Sequence, residues 1–181
     1  VRRAKSCGVS SSSLLTAVLI GVIFMTMNVS SPVTGAAQTG FTSPTYTLVT
    51  DVAPDSNGKQ QAVSNLGGTQ TGVVVSSVSV PFTLTVTRPK SLRTLGTPNP
   101  VTGVISSVPR NTYNVITRKG VQVVSGGTSP PLTMIVKTTI EVPAGSDTVD
   151  SANVRAALSL HLGALAQISA GIGDTAVSGV F

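Results

Sequence analysis

The stretch Leu132–Val142, LTMIVKTTIEV, and the segment that follows it, Val149–Ala170, VDSANVRAALSLHLGALAQISA, decide the fold. The first is rich in β-branched residues and reads as a strand. In the second, Val154, Leu158, His161, Leu165 and Ile168 recur at spacings of three and four, which gives an amphipathic helix with an apolar face, capped at its start by Asp147 or Asp150. Gly171 and Gly173 are expected to stop it. Strands come first and helix last, so the class is α+β.

Working backwards, Phe82–Thr87 alternates strictly, with apolar residues at even positions and threonines at odd ones, and Pro89 ends the strand. Tyr113–Val124 is a further strand. Ser125–Pro131 is a turn, and Ser91–Pro109, with three prolines, is a long loop. Thr45–Asp51 and Gln60–Asn65 flank Pro54–Lys59, where Asn57-Gly58 is expected to supply the positive φ angles of a hairpin reversal. A Gly67-Gly68 break then precedes another apolar run, Gly72–Val80.

About five antiparallel strands at ~4.8 Å spacing make a sheet roughly 24 Å wide. One helix is only ~10 Å across. A second copy must supply more helix, or sheets must pair edge to edge, and a two-fold dimer is the common solution. Strand parity predicts two unlike faces. Phe82, Leu84, Val86, Leu132, Met134, Val136 and Ile140 make one apolar. Thr83, Thr85, Thr87, Thr133, Lys137 and Thr139 make the other polar, joined by Thr112, Asn114, Ile116 and Arg118 from the middle strand. A field of hydroxyls, amides and cations suits phosphate and sugar contacts, although threonine is also an ordinary strand residue.

The formal charge is +6, and seven cations between Arg88 and Lys137 have no acid among them. Such a cluster fits a polyanionic partner or simple solubility, and geometry must separate the two. Catalysis has little to draw on. Six acids, one His and one Cys are present, Asp147 and Asp150 sit at a helix start, His161 lies on the apolar helical face, and no GxSxG, GxGxxG or Walker pattern occurs. The expectation is a non-enzyme with no cofactor and no metal.

Val1–Asn28 is unlike the rest: Arg2, Arg3 and Lys5 precede a serine cluster and the apolar run Leu14–Met27. That is the pattern of a secretory signal, with Gly35-Ala36-Ala37 as a small-residue site downstream. Alternatively, Gly21–Met25 can be encoded with GGAG just upstream of an AUG, which makes residues 1–24 an upstream extension and starts the protein at Met25 or Met27.

The hairpin at Thr45–Asn65, VPFTLTVTRPKS, NTYNVITRKGV, LTMIVKTTIEVPAGSD and NVRAALSLHLGALAQISAGIGDTAVSG together resemble the coat proteins of small single-stranded RNA bacteriophages, the leviviruses. The resemblance covers about Thr45–Phe181. It implies an N-terminal hairpin plus about five antiparallel strands and two C-terminal helices, in a domain of residues 25–181 with a dimerisation tail at 147–181. It further implies an interlocked homodimer with a ten-stranded sheet, an icosahedral shell packaging single-stranded viral RNA in a virion assembled in the bacterial cytoplasm, and repression of replicase translation through an RNA hairpin. The RNA-facing candidates are Thr83, Thr85, Thr87, Arg88, Asn114, Arg118, Thr133, Lys137 and Thr139. The dimer candidates are Val154, Leu158, His161, Leu162, Leu165 and Ile168. The rival reading is an exported β-rich surface or adhesion subunit.

Overall fold

A computed structural model describes residues 26–126 and 129–181; the leader and the Met25 start lie outside the described residues. The chain forms β1 (Val33–Thr34), β2 (Thr42–Asp51), β3 (Gly58–Thr69), β4 (Phe82–Thr87), β5 (Arg110–Val121) and β6 (Leu132–Pro143), then α1 (Ser146–Val149), α2 (Ser151–Gln167) and α3 (Ser169–Ser178). The six strands make one antiparallel sheet in sequence order. The hairpin strands β2 and β3 are two of its five full strands, and the sixth is the two-residue β1, which pairs Val33 with Tyr46 and was not foreseen.

Several local expectations are corrected. Neither Asn57 nor Gly58 has positive φ. The reversal is instead made by Asp55, whose Oδ1 accepts the Asn57 N–H at 3.2 Å while its carbonyl accepts the Gly58 N–H at 3.0 Å. Gly67-Gly68 is no break, because β3 runs through it to Thr69. A side chain at Gly68 would strike the Thr42 and Ser43 carbonyls, so glycine there permits close approach to β2. The valines of Gly72–Val80 form a loop, with Lys119 Nζ donating to the Val74 carbonyl at 2.6 Å and the Ser76 N–H to the Val63 carbonyl at 2.9 Å.

The helical tail also differs in detail. Gly171 and Gly173 lie inside α3, and the break falls at Ile168, where α2 and α3 bend by 59°. The bend is pinned by residues 37–39. Gln38 Nε2 donates to the Ser169 carbonyl at 2.8 Å, Ser169 Oγ donates to the Ala37 carbonyl at 2.8 Å, and Thr39 Oγ1 donates to Asp174 Oδ2 at 2.8 Å. Gly173 gives Gln38 room that a Cβ would fill. Asp150 precedes α2, but its carboxylate accepts Asn153 Nδ2 at 2.8 and 2.9 Å instead of capping the backbone. Asp147 lies within the first turn of α1 and makes no cap either.

Among the described residues only Leu48, Val63 and Ala144 are buried hydrophobics. Val154, Leu158 and Leu165 are half-buried, but His161, Leu162 and Ile168 are exposed, and so is Leu160, at 77%. The helix is therefore apolar on more than the single face expected. Strand β6 exposes Leu132, Met134 and Val136 on one face and Ile135 on the other, along an edge with no partner strand in the sheet. No single described helix is long and apolar enough to cross a membrane.

Candidate nucleic-acid interface

The register fixes which side chains share a face, because residues directly opposite in an antiparallel pair point the same way. Three rungs cross the polar face. Asp51, Gln60, Thr85, Ile116 and Lys137 form one, Val49, Ala62, Thr83, Arg118 and Ile135 the next, and Gly58, Thr87, Asn114 and Thr139 the third. The parity expected from the sequence is the parity observed. Phe82, Leu84 and Val86 fall on the opposite face, with Met134, Val136 and Ile140 and with Tyr113.

A directed chain of hydrogen bonds runs across two rungs. Ionised Asp51 can only accept, so its Oδ2 takes Gln60 Nε2 at 2.8 Å. That orientation turns Gln60 Oε1 toward Thr85, whose Oγ1 donates to it at 2.9 Å. The Thr85 oxygen is then free to accept Arg118 Nη1 at 2.8 Å. Arg118 is thereby held at the sheet centre, with its remaining N–H groups unspent on Thr85. The Gln60 amide, followed by the Val52 N–H, also holds the Asp51 carboxyl below the usual carboxylate range. On the third rung Thr139 Oγ1 donates to Asn114 Oδ1 at 3.0 Å and Asn114 Nδ2 donates to Thr87 Oγ1 at 3.3 Å.

The expected RNA-facing residues are not equivalent. Thr83 and Thr85 are buried, Thr85 at 1% exposure, so Thr85 acts on Arg118 and Gln60. Thr133, Lys137 and Thr139 are open, and Thr87, Asn114 and Arg118 are half-buried. Arg88 lies one residue past β4, its N–H bonded to the Asn57 carbonyl at 3.2 Å, and is not brought into the rungs. Sequence reasoning missed Asp51 and Gln60. The signal was available, since they are directly opposed in the hairpin and continue the Thr85 rung.

The apolar face holds its own anchor. Tyr46 packs edge-on against Phe82 with ring centroids 5.6 Å apart, and Lys119 Nζ stands 4.6 Å above the Phe82 ring. Burial raises the Tyr46 pKa and lowers that of Lys119. Among the described residues no group of three or more His, Cys, Asp or Glu side chains could hold a metal ion.

A solved structure, the virus-like particle of bacteriophage ESE020, is 58% identical to this chain, over 86% of this chain and 100% of that one, with a TM-score of 0.81. The chain belongs to the levivirus-type coat protein family. The sheet in sequence order followed by C-terminal helices is thus the levivirus coat fold. Fainter likenesses connect it to particles of Beihai levi-like virus 32, at 19% identity, 75% and 88% coverage and a TM-score of 0.41, and of Wenzhou levi-like virus 4, at 16%, 70% and 74%, and 0.39. No protein-family model and no curated protein matches. In this coat protein the hydrogen-bonded rungs occupy one face of the sheet, and the helices leave from the end of β6.

Proposed function

We propose that this coat protein is the structural subunit of an RNA-phage shell, a homodimer whose copies assemble around single-stranded genomic RNA within the virion. The observation that carries this reading is the one-sidedness of the subunit. One sheet face presents Lys137, Thr139, Asn114 and a braced Arg118, while β6 and α2 leave Met134, Val136, Leu160 and Leu162 in water. Apolar surface left open at an unpaired strand and an exposed helix is stabilised by burial against a second copy. Pairing of two β6 edges would extend five full strands to ten. Val154, Leu158, His161, Leu162, Leu165 and Ile168 supply the helical part of that contact.

On the polar face the braced Arg118, the open Lys137 and the threonine hydroxyls suit phosphate and ribose oxygens, contacts that attract without reading sequence. Tyr113 lies on the other face, so the rungs offer no aromatic platform for base stacking. This favours general packaging over tight recognition of one hairpin. The test is expression of residues 25–181 in bacterial cytoplasm. Particles seen by electron microscopy that carry RNA are expected, and soluble monomers without nucleic acid would overturn the proposal.

A further inference from the structure

Of the seven cations between Arg88 and Lys137, Arg118 and Lys137 stand in the rungs and Lys119 lies over the Phe82 ring. Three others converge elsewhere. Lys90, Arg93 and Arg110 line a cavity of about 320 Å³ at the root of the connection between β4 and β5, together with Asn111 and Thr112. Neutral groups hold its backbone. Asn111 is buried, and its Oδ1 accepts the Arg93 N–H at 2.8 Å while its Nδ2 donates to the Arg93 carbonyl at 3.1 Å. The Ala144 N–H donates to the Pro109 carbonyl at 2.9 Å, which fixes the chain where it enters Arg110. These anchors use no charge, and Lys90, Arg93 and Arg110 stay exposed.

No acid lines this cavity, and among the described residues the one ion pair is Arg110 with Glu141, a long contact at 3.7 Å. Cations that serve solubility are interspersed with acids. Like charges gathered around one concavity instead raise the local potential and attract an anion. Because Asn111 sets the Arg93 backbone beforehand, little of the site has to be ordered on binding. A phosphate group suits it, since an arginine fork and a lysine ammonium both donate to phosphate oxygens. A second copy is a poor source of counter-charge, with six acids against twelve basic residues in the chain. The cavity also adjoins the polar face. Arg110 and Thr112 have the strand parity of Asn114 and Arg118, and Arg110 lies about 14 Å along β5 from Asn114.

We infer that Lys90, Arg93 and Arg110 form a second anion site, apart from the rungs, which takes a backbone phosphate of the RNA strand beyond the end of the sheet. The inference rests on the RNA-packaging reading above. Two measurements on the full chain, freed of RNA, test it. The first follows binding of a fluorescent oligouridine by anisotropy across salt concentrations. Lys90→Gln with Arg93→Gln is expected to flatten the slope of log affinity against log salt by about 1.4. Lys59→Gln with Arg155→Gln, which removes the same charge elsewhere, is expected to leave the slope unchanged. Equal flattening by both pairs, or none by the first, overturns the inference. The second is acetylation of Lys90 in the unaltered protein, read by mass spectrometry. Bound oligouridine is expected to slow it at least fivefold, and inorganic phosphate at the same phosphate concentration to leave it unchanged. Full reactivity of Lys90 in the complex overturns the site even if the variants do not fold, and equal protection by inorganic phosphate overturns its assignment to RNA. An unaltered chain that binds no oligouridine instead removes the RNA-packaging reading itself.

Discussion

At the scale of residues, the relay Asp51–Gln60–Thr85–Arg118 converts strand pairing into a fixed cation. Thr85→Val keeps the shape but leaves Gln60 Oε1 and an Arg118 N–H without that partner, so a loss of about 1–3 kcal/mol is expected in chemical denaturation of the dimer. Arg118→Ala with Lys137→Ala removes two cations from the polar face. Binding to single-stranded RNA is expected to weaken, and the slope of log affinity against log salt to flatten by about 1.4, with dimers intact by sedimentation. The Asp51 carboxyl is depressed below its ordinary 3.8 by the Gln60 amide. Its contribution to stability is therefore fully present above that value and fades as pH falls through the depressed one. Thermal melting at pH 2 to 5 is expected to show a steeper acid loss for the native protein than for Asp51→Asn.

At the scale of elements, α2 departs from an ordinary surface helix. A helix that is apolar on several sides belongs in an interior, and here that interior is proposed to come from another subunit. Leu162→Asp is thus expected to raise the dissociation constant of the proposed dimer at least tenfold, measured by sedimentation equilibrium, with the circular dichroism of the sheet lost in step with dissociation. The strands were largely legible. Phe82–Thr87 shows a period of two between Pro81 and Pro89, and because every strand pairs with its sequence neighbour, parity read on one strand carries across to the next. Other elements were not legible, for physical reasons. Strand β1 exists only against Thr45 and Tyr46, the Gly72–Val80 run has its backbone held by Lys119 and Val63, and Gly173 makes room for Gln38, a contact distant in sequence. Asn57-Gly58 looked like a turn built on positive φ, whereas the Asp55 carboxylate built the reversal. Of the polar face, the threonines and cations could be named from the sequence, but the burial of Thr85 beneath Arg118 required the register.

At the scale of the whole molecule, a sheet of six strands buries only three hydrophobic residues among those described, and this small interior is the ground on which a second copy is proposed to complete it. The same incompleteness accounts for the open β6 edge and the uncovered helix, each of which another copy can cover. The polar face with Arg118 and Lys137 is the one proposed to meet RNA. The most direct measurement is sedimentation equilibrium of the folded, RNA-free protein across a wide concentration range. The account predicts a dimer as the smallest folded species, with unfolding on dissociation; a compact, folded monomer persisting at high concentration would contradict it.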